Sequence, residues 1–268
     1  MRTASIRPRC VCARSDLRFA TAAMGTRFEI VIETAAAESQ HDVHWRAVGE
    51  AAIAEIERLH RQLSFFAKDS LVSHINRTAL SAPVRLDVDT FSLLQDAQAV
   101  WRLSDGAFDV TRGSGMDRVI LDENARTVSF GCDGISIDLG GIAKGHAVDR
   151  AAAILREHGV TRALVHGGTS SVAAVGSPAG SPQGWTIALA PSGTTVTLSD
   201  ETLSVSSGAM REHIVDPSTG AFIKGPRIAA VTGPSARLGD AWSTAVAVLG
   251  ARPARMDSEW QTIIEAYD

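Results

Sequence analysis

The run Ile137-Asp138-Leu139-Gly140-Gly141-Ile142-Ala143-Lys144-Gly145-His146-Ala147-Val148-Asp149 constrains this chain more than any other segment. A short strand enters a pair of glycines, and a lysine follows where a helix starts. Glycine lets the backbone come close to a ligand. A helix N-terminus offers unpaired N–H groups and positive potential to an anion. Lys144 adds a full charge. Together these features describe a phosphate or diphosphate site. The spacing is not that of a Walker A loop, nor that of the dinucleotide G-x-G-x-x-G turn. The purely structural alternative is a tight strand-to-helix turn with a solvent-exposed lysine.

Periodicity around this segment sets the expected fold. Thr26 to Glu33 alternates into an apolar face and reads as a strand. Trp45, Val48, Ala52, Ile56, Leu59 and Leu63 recur at three- and four-residue steps and read as a helix. Lys68, Asp69 and Ser70 then read as a loop leading to Asn76. Further helices are expected over Asp89–Leu103, over Ala143–His158 and from about Asp240. Short apolar runs broken by glycine, proline and serine predict strands at Ala163–His166, Val172–Val175, Trp185–Ala190, Thr194–Leu198, Leu203–Ser206 and Arg227–Thr232. Helices dominate the first half and strands the second. That order fits an α+β fold with mixed or antiparallel sheets flanked by helices better than an alternating parallel sheet. No linker divides the chain, so residues 24–268 are expected to form one composite domain. Residues 1–23 are expected to be a disordered basic tail.

Four further segments carry candidate chemistry. In Gly239-Asp240-Ala241-Trp242-Ser243-Thr244, a helix starting at Asp240 puts Asp240 and Thr244 on one face. A carboxylate and a hydroxyl so placed can hold a hard cation, and magnesium commonly takes one or two protein carboxylates plus substrate phosphates. The structural alternative is that Asp240 caps the helix. His213-Ile214-Val215-Asp216-Pro217-Ser218-Thr219-Gly220 places a histidine, a group able to carry a proton near neutral pH, ahead of strong turn chemistry. Ser104-Asp105-Gly106-Ala107-Phe108-Asp109 sets an aromatic between two acids. Ala23-Met24-Gly25-Thr26 opens the first strand.

Composition removes several functions. A net charge of −4 gives no electrostatic footprint for nucleic acid. No apolar stretch approaches the roughly 20 residues of a membrane span. Cys10, Cys12 and Cys132 make neither a disulfide framework nor a zinc site. Arginines recur through residues 1–23, so the apolar core of a secretory signal is missing, and a cytoplasmic location is expected.

In their order, these segments resemble the ApbE family of FAD:protein FMN transferases. The resemblance rests on Met24-Gly25-Thr26, Leu63-Ser64-Phe65-Phe66, Ser70, Asn76 and Gly106-Ala107-Phe108-Asp109. It continues through Asp138–Asp149, His213–Gly220 and Asp240–Thr244. It implies FAD bound at Met24, Phe66, Ala107, Phe108, Asp109, Asp138, Lys144 and Val215. It also implies magnesium at the Gly141 carbonyl, Asp240, Ser243 and Thr244. The implied reaction moves FMN from FAD to a Ser or Thr of an acceptor flavoprotein carrying a short recognition motif. Some relatives instead hydrolyse FAD to FMN and AMP, and a non-catalytic flavin-binding protein is a third alternative. Lys144 is expected to neutralise charge in the transition state. His213 is the candidate for taking the hydroxyl proton, with Asp240 as its rival. The sequence departs from the family pattern at Phe66 and His146, which replace tyrosines, and at Thr169, where some members have an acid.

Overall fold

Residues 16–34, 42–190, 192–207, 214–223 and 227–266 are described by a computed structural model. The chain starts with an antiparallel hairpin, β1 (Leu17–Ala23) and β2 (Thr26–Ile32). Helices α1 (Asp42–Leu63) and α2 (Leu71–Thr78) follow, then β3 (Val84–Arg85) and α3 (Val88–Leu103). A 3-10 turn at Met116–Arg118 leads to β4 (Val119–Asp122) and β5 (Thr127–Phe130). Next come α4 (Ala143–Glu157), β6 (Ala163–Gly167), β7 (Ser171–Val175), β8 (Trp185–Ala188), β9 (Thr195–Leu198) and β10 (Thr202–Ser207). The described chain closes with β11 (Arg227–Gly233), α5 (Ala236–Leu249) and β12 (Gln261–Ala266).

Seven strands form the main sheet in the order β1-β2-β6-β7-β10-β11-β12, every pair antiparallel. Side chains alternate between the faces of a sheet, and the two faces feed different cores. Phe28, Ile30 and Ile32 of β2 join Val48, Ile56 and Leu59 of α1 and Val148 and Leu155 of α4. Leu164 of β6 and Val172 and Ala174 of β7 pack instead with Trp185, Ile187 and Leu198 of the β8–β9 hairpin. β6 and β7 are therefore buried along their whole length, which is why they read as unbroken apolar runs. The fold is α+β, as expected.

The structure moves several boundaries. β1 lies inside the stretch expected to be tail, so the folded chain begins before Met24. It is an edge strand with only its two end residues fully buried, so its apolar pattern is faint. Residues 71–78 are helical rather than loop, with the Ser70 side chain accepting from the Ser73 amide as an N-cap. The last helix starts at Ala236, capped by Ser235, one turn earlier than expected. The strands β3, β4, β5 and β12 had no counterpart in the sequence reading. They are two to six residues long, and β12 has no fully buried residue to give it an apolar pattern.

Candidate functional site

Two helix N-termini meet at the centre of the site. Asp149 of α4 takes hydrogen bonds from the Ser235 hydroxyl (2.7 Å) and from the amides of Ala236 (2.8 Å) and Arg237 (2.9 Å). A carboxylate at a helix start is favourable because it meets free N–H groups and the positive end of the dipole. This fastens α5 against α4. Asp240 consequently sits in the second turn of α5, and the capping alternative for it falls. Its side chain is 3 % exposed. Oδ2 accepts from the Gly145 amide at 3.1 Å and lies 3.6 Å from Lys144 Nζ. Lys144 Nζ also donates to the Gly140 carbonyl at 2.7 Å. Burial pushes the Asp240 carboxyl up, opposed by the Lys144 ammonium and the Gly145 N–H.

Oxygen donors cluster beside this pair. Thr244 Oγ1 donates to the Asp240 carbonyl at 3.1 Å, and a Cβ on Gly141 would stand 3.5 Å from it. Ser243 Oγ donates to the same carbonyl at 2.9 Å and shares a 2.8 Å hydrogen bond with Ser206 Oγ. Ser206 also lies 3.3 Å from Thr244 Oγ1. No local signal in the sequence marks Ser206 as a site residue, because its partner Ser243 lies 37 positions away. Among the described residues no group of three or more His, Cys, Asp or Glu stands together. The donor set here is one carboxylate, hydroxyls and a carbonyl. That chemistry fits a hard cation completed by a ligand's own phosphates, and not zinc or a softer metal.

The turn ahead of α4 is held from two sides. Asn76 of α2 donates from Nδ2 to the Ile137 carbonyl (2.9 Å) and accepts from the Ile137 amide (2.8 Å). Asp138 then accepts from the Gly140 amide at 2.9 Å through Oδ1 and from Arg112 through Oδ2. Asp109 folds its own loop by accepting from the Thr111 amide (2.6 Å), the Thr111 hydroxyl (2.7 Å) and the Gly113 amide (3.1 Å). Phe108 and Ala107 are buried, and the Phe108 ring lies 3.2 Å from the Cβ position of Gly141. A Cβ on Gly113 would collide with the Pro217 carbonyl. The turn after Val215 is therefore seated against the Asp109 loop, and Val215 itself bridges Phe222.

Two expected flavin residues stand apart from this group. Met24 holds a left-handed φ of 51° and donates its amide to His60 Nδ1 at 3.2 Å. It lines a cleft of about 340 Å³ with Ala22, Ala23, Gly25, Thr26, Arg27 and His60, and no other expected flavin residue lines that cleft. Phe66 is 88 % exposed, its ring edge-on to Phe65 at 5.4 Å. His213 lies outside the described residues.

A family model described as the ApbE family matches residues 24–118 and 112–266. The chain belongs to the ApbE family. The ApbE protein from Thermotoga maritima superposes with a TM-score of 0.77 at 26 % identity, over 88 % of this chain and 87 % of that one. Flavin transferase ApbE from Vibrio cholerae superposes at 0.75 and 22 % identity, over 88 % of each chain, a likeness of fold. A Haemophilus influenzae relative named FAD:protein FMN transferase is 27 % identical over 259 residues, covering 76 % of this chain and 74 % of its own. One of the same name from Klebsiella pneumoniae is 28 % identical over 150 residues, covering 46 % of this chain. There the match spans about half of the relative's length, 48 %.

Proposed function

We propose that this ApbE-family chain transfers FMN from FAD to a serine or threonine hydroxyl of an acceptor flavoprotein, forming a phosphoester and releasing AMP. The observation that carries the reading is the approach of Lys144 Nζ to Asp240 Oδ2, 3.6 Å apart at the Gly140-Gly141 turn. It joins a diphosphate-binding turn to a cation-binding helix face. The names borne by the relatives support the same reading.

In this reaction the acceptor oxygen bonds to the FMN-side phosphorus. The diphosphate bridge breaks on the other side of that phosphorus, and the bridging oxygen leaves on AMP. Phosphoryl-type transfer asks a protein mainly for positioning and charge neutralisation. Lys144 and the amides of the glycine turn stabilise charge that grows on the phosphoryl oxygens. Asp138, Asp109, Ala107, Phe108 and Val215 shape and hold the dinucleotide site, with Met24 and Phe66 at its outer parts. His213 takes the hydroxyl proton. Asp240 and Thr244, with the Gly141 carbonyl and Ser243, are the residues that would hold magnesium, which when bound neutralises diphosphate charge. The burial of Asp240 keeps bulk water from its carboxylate, and that strengthens every charge interaction made there.

The test is AMP release from FAD and magnesium, with and without a hydroxyl-bearing acceptor peptide. AMP formed only with acceptor, together with flavin on the peptide, supports transfer. AMP formed regardless makes the chain an FAD pyrophosphatase, and no AMP in either case makes it a flavin-binding protein.

A further inference from the structure

Arg112 belongs to none of the positions assigned above, yet the fold spends effort on presenting it. Its φ is 54°, the left-handed region that a non-glycine side chain enters only at a cost. The loop that imposes this φ is tied from several directions. Asp109 accepts from residues on both sides of Arg112, the Thr111 hydroxyl accepts from the Gly115 amide at 3.1 Å, and Gly113 abuts Pro217. The guanidinium is pinned through Nη2 to Asp138 Oδ2, and the side chain remains 56 % exposed. An ion pair that exposed contributes little to stability, so stability does not account for the strain.

Charges alternate through the site. Arg112 meets Asp138, Asp138 meets the Gly140 amide, the Gly140 carbonyl meets Lys144, and Lys144 meets Asp240. Two cations therefore flank the glycine turn, Lys144 the more enclosed at 21 % exposure and Arg112 the more open. A diphosphate has two phosphoryl groups to neutralise. An arginine fork has five N–H donors, and the contact with Asp138 involves only Nη2. Planar guanidinium groups suit phosphate oxygens in paired contacts.

We propose that Arg112 is a substrate-binding residue, steadied by Asp138, whose guanidinium takes the phosphate oxygens of the FAD diphosphate that Lys144 does not reach. The inference rests on the flavin-transferase reading and adds to it a residue that selects for the diphosphate over the flavin ring.

The test is a set of binding titrations of wild type, Arg112→Gln and Arg112→Lys. FAD and riboflavin are followed by flavin fluorescence and ADP by calorimetry. Arg112→Gln is expected to weaken FAD and ADP about tenfold or more, the usual size for losing hydrogen bonds to a charged group. Riboflavin, which has no phosphate, keeps its affinity and controls for folding. Arg112→Lys falls between, keeping the charge and losing the fork. FAD and ADP affinities unchanged in Arg112→Gln overturn the inference alone. Equal losses for riboflavin and FAD overturn it too, since the effect would then be on the shape of the pocket. A wild-type protein that binds neither FAD nor ADP overturns the flavin reading and this inference with it.

Discussion

Gly145 of α4 meets the Ala236 carbonyl of α5 with no room for a side chain between them. The obstacle is backbone, which cannot swing aside as the tip of a side chain can. This contact brings Lys144 beside Asp240, because the Gly145 amide is itself a hydrogen-bond donor to Asp240. Gly145→Ala is expected to prise the helices apart and lower stability by about 1–3 kcal/mol, the usual range for overpacking. Urea unfolding would measure the loss, and wild-type stability in the variant would mean that the helices do not touch there.

Asn76→Ala removes both hydrogen bonds to Ile137, whose backbone is then left unpaired in a buried segment. The expected cost is about 1–3 kcal/mol, with weaker FAD binding because Asp138 and the glycine turn lose their anchor. Asn76→Asp keeps the acceptor for the Ile137 amide and loses the donor, so it should fall between. FAD affinity equal to wild type in Asn76→Ala would remove Asn76 from the site.

His146 is 3 % exposed, and burial, helped by the Arg237 charge, depresses its pKa from 6.5 to about 4. Arg150 acts in the same direction, while Asp89 and Glu55 oppose it. The folded value lies below the unfolded one, so this contribution to stability is complete above about pH 6.5 and is lost as pH falls toward 4. The unfolded chain binds the proton first. Up to about 3 kcal/mol is at stake over that window. Urea midpoints between pH 7 and 5 should fall for wild type, and the slope should flatten in His146→Phe. Parallel slopes would place the titration elsewhere.

Asp240→Asn keeps the shape of the side chain and removes its charge from a buried position. FMN transfer is expected to fall about a hundredfold or more, as when one preorganised electrostatic contact is lost. Magnesium binding by calorimetry should disappear while the circular dichroism spectrum stays that of wild type. Normal transfer by this variant would end the metal assignment.

Legibility in the sequence followed length and locality. The long helices α1, α3 and α4 carry several turns of periodic apolar residues, and their expected ends lie within a few residues of those observed. α2 does not stand out in the sequence because eight residues hold too little periodicity, although Ser70 is a favoured cap residue. β1 is hidden in the sequence because Arg18 and small residues dilute its pattern. Ser206 and Arg112 carry no local signal because their partners, Ser243 and Asp138, lie 37 and 26 positions away.

The short strand expected ahead of the glycines does not form, but by itself the sequence determined the glycine–lysine turn at a helix start, the acid and hydroxyl one helical turn apart, and the resemblance to the ApbE family. Each of these is written in neighbouring residues, where backbone geometry and spacing act directly. Only the tertiary structure decided that Asp240 is a buried partner of Lys144 and not a cap. The Gly145–Asp240 hydrogen bond joins residues 95 positions apart, and it exists because Asp149 fastens the start of α5 and a glycine lets the two helices touch. Contacts of that kind depend on how whole elements pack, which no local pattern encodes.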